Sequence, residues 1–209
     1  KLVNWDTVLK TAISDLEVDQ REMNSKIYYI RYPIDKSDDF ITIATTRPET
    51  MLGDTAIAVN PKDKRFKKYV GKTVTVPIVE RKIKIIKDNY ADPKQGTGAL
   101  KITPAHDFND YDVGQRNDLE IINIFTQNGK INKNAPVSYI GLDRFEARKK
   151  IIEELKEKKF FVKEENIKNK VPYGDRSNSI IEPFLTEQWF VNAKKLSVKA
   201  KDIVNSKKT

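Results

Sequence analysis

Seven short apolar or alternating runs, each stopped by proline, glycine or a polar cluster, restrict this chain to a sheet-built core. Apolar and polar residues alternate through 26–32, a polar cluster follows at 35–39, and 40–45 resumes the β-rich pattern, which predicts a hairpin. Segments 56–59, 74–79, 82–86, 99–103 and 121–125 continue the series, separated by Pro61, Gly71, the Asp92-Pro93 turn and the Gly96/Gly98 pair. Many short strands at close spacing suggest a barrel-like β core. Two helices accompany it. Asp143 and Glu146 resemble a capping box ahead of Phe145, Ile151, Ile152, Leu155 and Phe160, and residues 106–113 lead from Pro104 towards Gly114. The expected fold class is therefore α+β, a barrel-like β core of short strands with peripheral helices. Turn formers crowd 171–178, which divides the chain into a connecting segment at 1–25, a core at 26–170 and a return segment at 171–209.

Charge and rare residues narrow the chemistry. The 209 residues include 39 Lys/Arg and 30 Asp/Glu, a net +9, and the excess lies in the final third, where 144–209 hold 17 basic and 10 acidic side chains. Such clustering is the electrostatic footprint of a nucleic-acid partner, although a solvated Lys-rich surface has the same composition. The absence of cysteine excludes disulfides, thiolate catalysis and Cys-ligated zinc. The single histidine, His106, excludes multi-His metal sites. No apolar run approaches the roughly 18 residues of a membrane span, and the first residues lack a signal-peptide core, so a soluble, cytoplasmic protein without a membrane partner is expected.

Three places gather groups capable of chemistry. Thr45, Thr46, Arg47 and Thr50 collect hydroxyls and a guanidinium where a strand enters a turn at Pro48, suited to a phosphate, a carboxylate or a base edge, or to an ordinary surface ion pair. Gly96-Thr97-Gly98 permits close backbone approach and precedes a strand that puts Lys101 and Thr103 on one face. Asp107 and Asp110 share a helix face, where they can bind an ammonium or accept from a hydroxyl, or simply cap the helix. Their mutual repulsion calls for a cation, of which Lys101 is the nearest in sequence. His106 fits a hydrogen-bonded structural residue better than a base. With no G-x-S-x-G elbow, Walker A loop or G-x-G-x-x-G, covalent nucleophilic catalysis has no support.

Taken together, TTRPETMLGD at 45–54, GTGALKITPAHDFND at 96–110 and VPYGDRSNSIIEP at 171–183 resemble the valyl-tRNA synthetases, and the likeness runs from Leu2 to Phe190. It points to the connective insertion that forms the editing domain of the valyl, isoleucyl and leucyl enzymes. The HIGH and KMSKS signatures of aminoacylation are absent from these residues, so the resemblance implies editing without amino-acid activation. Its implied substrate is valine tRNA whose terminal adenosine carries threonine, its other partner the remainder of the synthetase chain. No metal or cofactor is implied for editing, ATP being used only by the synthetase body.

The need for such a site is general: an apolar pocket rejects an isostere that merely adds a hydroxyl by about a hundredfold, valine against threonine being the standard example. By resemblance, Asp107 takes the α-ammonium, and Asp110 with Lys101 and Thr50 takes the threonine hydroxyl. Thr45, Thr46 and Arg47 hold the adenosine and ester, and Thr103 and Gly96 belong to the same pocket. Lys101, Asp107 and Asp110 are the implied catalytic set. Gln95, counted with the substrate-binding residues, occupies a position that is commonly aromatic in the family and resembles a stacking platform for adenine. A non-catalytic basic tRNA-binding module and a purely structural connector are the competing readings.

Overall fold

A computed structural model describes residues 1–189 and 191–206; Phe190, the last residue of the likeness, and the end of the return segment at 207–209 lie outside the described residues. Among the described residues, ten strands form three sheets. The first has the order β10-β1-β2 and joins Leu2–Asp6 (β1) to Thr11–Ile13 (β2) and Glu182–Leu185 (β10). The second, β4-β3-β9, is built on Val18–Pro33 (β3), with Phe40–Thr45 (β4) and Phe161–Gly174 (β9) on either side. The third is β6-β7-β5-β8, from Ala56–Val59 (β5), Thr73–Thr75 (β6), Lys82–Lys87 (β7) and Ala99–Ile102 (β8), with β5 and β7 parallel.

The fold is α+β, but the strands do not close into a barrel. Closure needs a continuous hydrogen-bond ladder between sheet edges. Among the described residues only the isolated Ile34–Val74 bridge joins the second and third sheets. They share a core instead: Ile30, Tyr32, Ile41 and Ile43 alternate inward from one, Ile57, Val59, Ile83 and Ile85 from the other. Helix α2, Arg144–Glu157, adds Ala147, Ile151 and Leu155 to that core, and Asp143 caps it by accepting from Phe145 N. Helix α1, Phe108–Arg116, packs through Val113 on a smaller cluster of Ala56, Ala58, Ala91 and Ile102.

Several expected elements differ. Segment 74–79 stops being a strand after Thr75, because Pro77 is followed by Ile78 and Glu80 at positive φ. Segment 121–125 forms no strand beyond a bridge from Phe125 to Ile131; the Asn132 and Asn134 side chains donate to Asn123 O and so take the place of a ladder. Strand β9 was hidden by its Lys, Glu and Asn content. It pairs with β3 over most of its length, and Lys168–Glu22 and Tyr29–Glu165 contacts cross the pair. Residues 25/26 and 170/171 lie within these two paired strands.

Candidate functional site

Arg47 leaves β4 and opens a 3-10 turn, Pro48–Gly53, whose six residues are all buried. Proline at the first position presets the turn and needs no hydrogen-bond partner for its nitrogen. Opposite it, β8 delivers Lys101, and Thr103 follows before a tight turn in which His106 N donates to Thr103 O at 3.0 Å. Asp107 then caps α1, one carboxylate oxygen accepting from Asn109 N at 2.8 Å and Asp110 N at 3.0 Å.

The two stretches meet directly. Lys101 Nζ donates to Thr50 Oγ1 at 2.7 Å and to Asp54 Oδ1 at 3.1 Å, and also reaches Thr103 Oγ1. Its three protons are thereby matched. Thr103 Oγ1 and the Tyr32 hydroxyl donate to Asp54 at 2.6 and 2.7 Å, so Asp54, wholly buried, is the centre of the cluster. Burial pushes its carboxyl up despite Lys101. The cation that sequence proximity offered to Asp107 and Asp110 is thus committed to Asp54.

Asp110 lies alongside. One of its oxygens accepts from Thr103 N at 2.8 Å, and among the described residues no protein donor reaches the other. Burial, reinforced by the neighbouring Asp107 charge, pushes this carboxyl from 3.8 to about 7.

A second charged cluster adjoins the first. Arg47 donates through Nη2 to both oxygens of Glu182 at 2.6 and 2.7 Å, through Nε to Glu49 at 3.3 Å and through Nη1 to His106 O at 2.9 Å. Arg148 grips Glu49 with two bonds of 2.7 Å, and Arg144 Nη1 donates to Glu182 at 3.0 Å. Burial alone would raise Glu182, but Arg47, joined by the facing His106 imidazole and Arg144, outweighs it and holds this carboxyl at about 2. Arg47 is held charged in turn: burial works against its charge, and Glu182 and Glu49 prevail.

His106 is buried and its Nε2 accepts from Ile124 N at 3.0 Å, which assigns the ring proton to Nδ1. Burial lowers its pKa. It is a structural acceptor in this arrangement.

The remaining residues fall around these clusters. Thr45 Oγ1 accepts from Arg47 N at 3.0 Å, while Thr46 lines a cavity of about 510 Å³ together with Arg47, His106, Asp107 and residues 23–25 and 169–173 of the β3/β9 ribbon. Gly96 takes a positive φ of 56° and a Cβ there would approach Ala44 Cβ to 3.1 Å, so this glycine lets the loop close onto β4. Gln95 is exposed next to it. Thr45, Thr46, Arg47, Thr50, Lys101, Thr103, Asp107 and Asp110 are therefore gathered into one region, with Asp107 on its surface and Lys101 and Thr103 buried within it, while Gly96 lies against Ala44 of β4.

A family model for class I tRNA synthetases (I, L, M and V) matches residues 1–209. The chain belongs to the class I tRNA synthetases. It is 87% identical to the valine–tRNA ligase of Pelagibacter ubique (strain HTCC1062) over 209 residues, which is 100% of this chain and 24% of that protein. The valine–tRNA ligase of Dechloromonas aromatica (strain RCB) is 51% identical over 213 residues, with 99% of this chain and 23% of the relative covered. That of Thermotoga maritima is 51% identical over 205 residues, 98% and 24%. This synthetase segment thus spans about a quarter of the length of its relatives. Among solved structures, a LeuRS of Agrobacterium radiobacter K84, in a ternary complex with tRNA and LeuAMS, superposes with a TM-score of 0.55 at 22% identity over 71% of this chain and 21% of that one, a likeness of fold.

Sequence reasoning did not assign roles to Asp54, Glu49, Arg144, Arg148 and Glu182. Glu49, Asp54 and Glu182 sit inside the family-like strings, yet a carboxylate in a string does not announce that it is buried. Only the positions of Lys101 and Arg47 reveal that.

Proposed function

We propose that this synthetase segment is a proofreading domain that hydrolyses the ester of threonyl-tRNA(Val) with a positioned water. The supporting observation is the meeting of the 45–54 and 101–110 stretches: Lys101 Nζ lies 2.7 Å from Thr50 Oγ1, and Arg47 Nη1 lies 2.9 Å from His106 O. A structural spacer has no use for a buried Lys–Asp–Thr cluster beside a carboxyl near neutrality.

Each role follows from what the resting contacts leave open. Asp107 spends one oxygen on two backbone donors, and the other, at the exposed helix start, is available to the substrate ammonium. The second oxygen of Asp110 accepts the threonine hydroxyl; Lys101 and Thr50 stand behind it as a fixed polar wall. Thr46 and the neighbouring cavity receive the terminal adenosine, while Arg47 braces the turn. Valine in the same place leaves the Asp110 oxygen unpaired, which costs about 1 to 3 kcal/mol. The ester is intrinsically labile, so holding water and carbonyl in register suffices for rate enhancement without a covalent intermediate.

The test is release of labelled threonine from threonyl-tRNA(Val) by the 209-residue chain and by Asp110→Ala. The wild type accelerates release and the variant, still folded, falls to the uncatalysed rate. A chain that shifts tRNA on a gel without releasing threonine is a binding module, and the proofreading reading is then wrong.

A further inference from the structure

Glu182 takes no part in the proposed chemistry, yet it is the point where three other parts of the chain meet. It stands on β10, which pairs with β1 from Leu2↔Leu185 to Trp5↔Glu182. Its side chain is 2% exposed and collects Arg47 from the turn after β4 and Arg144 from the start of α2. The His106 imidazole also faces it, with Nδ1 3.7 Å from Oε1 and no hydrogen-bond partner among the described residues. The β10 neighbours Ile181 and Phe184 are buried apolar residues, so nothing local to this strand requires a charge.

The contacts form a short path. Glu182 fixes Nη2 of Arg47, and Nη1 of the same planar guanidinium holds the carbonyl of His106, the residue before Asp107. A guanidinium is rigid, so turning it at one end displaces the other. Burying such ions gains little over an apolar pair of similar volume, whereas their geometry is highly specific. We propose that Glu182 is a positioning residue through which the strand pair β1/β10 sets Arg47 and the Asp107 turn, so that the ammonium-binding carboxylate is in place only when β10 is docked. The proposal rests on the proofreading reading for its consequence, not for its geometry.

The experiment uses Glu182→Gln in the 209-residue chain. Glutamine keeps the volume and one acceptor but turns an NH2 towards the guanidinium. Two readouts are taken alongside a thermal melt: the amide NMR shifts of Asn109 and Asp110, whose protons report on the Asp107 carboxylate, and kcat and KM for threonyl-tRNA(Val) deacylation. The expected result is movement of both amides with Ala56, in the third sheet, unmoved, and a fall in kcat of about 10- to 100-fold with KM changed less than about threefold. A merely structural Glu182 lowers the melting midpoint but leaves both amides and kcat unaltered, and that outcome overturns the proposal. Should the glutamine variant not fold, Glu182→Asp, which keeps the charge but withdraws it by one methylene, is read in the same way. Amides that respond in a chain whose wild type does not deacylate overturn the proofreading reading alone. Active wild type with unresponsive amides and kcat overturns this inference alone.

Discussion

Replacing Asp110 by Asn separates what this carboxyl does for the reaction from what it does to the fold. Its pKa is raised from 3.8 to about 7, chiefly by burial, so between those values the native state holds a proton that the unfolded chain has released. Native proton uptake of this sign means that stability falls as pH rises through that window, and the whole cost is present above about 7. A displacement of that size corresponds to a ceiling of about 4 kcal/mol at about 1.4 kcal/mol for each pH unit. Asparagine can retain the acceptor for Thr103 N, now 2.8 Å from the carboxylate, without bringing a charge. Asp110→Asn should therefore melt with the wild type near pH 4 and above it at pH 8, by at most about 8 to 16 °C at roughly 2 to 4 °C per kcal/mol, while losing deacylation. Thermal melts across pH 4–8 test this. A variant equally destabilised at both ends would refute the assignment of a buried, costly carboxyl.

Removing the Lys101 ammonium leaves Asp54 buried and uncompensated, so Lys101→Met should cost about 3 to 5 kcal/mol in urea denaturation, and adding Asp54→Asn should recover much of it; a single-variant cost below about 1 kcal/mol would mean that water reaches the pair. Glu182, held at about 2 against an ordinary 4.5, binds its proton later than the unfolded chain does. Its stabilisation is complete above about pH 4.5 and is lost as pH falls towards 2, so Glu182→Gln should flatten the acid limb of the stability curve; an unchanged limb would contradict this. His106→Gln, which preserves an acceptor for Ile124 N, should leave a pH–rate inflection near 7 in place, since that inflection belongs to Asp110; its disappearance would assign it to the imidazole.

The sequence made the inner strands and the helix starts legible because each carries its own signal. Ile30, Tyr32, Ile41 and Ile43 alternate with polar neighbours, and Asp143 and Asp107 occupy helix starts that need acceptors. Strands β1, β2, β9 and β10 were not legible as strands, since β9 is stabilised by partners on β3 rather than by an apolar face of its own. In the site, spacing put Lys101 with Thr103 on one face and Asp107 with Asp110 on one helix. It did not reveal that Lys101 is claimed by Asp54, nor that Arg47 is gripped by a glutamate 135 positions later. Both facts depend on pairings between distant segments, which local pattern does not encode.

The measurement that bears most directly on the account compares deacylation of threonyl-tRNA(Val) with that of valyl-tRNA(Val) by the same chain under the same conditions. A pocket that selects for a hydroxyl favours the threonyl ester by at least about fivefold, the equivalent of one buried acceptor left unpaired at about 1 kcal/mol. Equal rates for the two esters would contradict it.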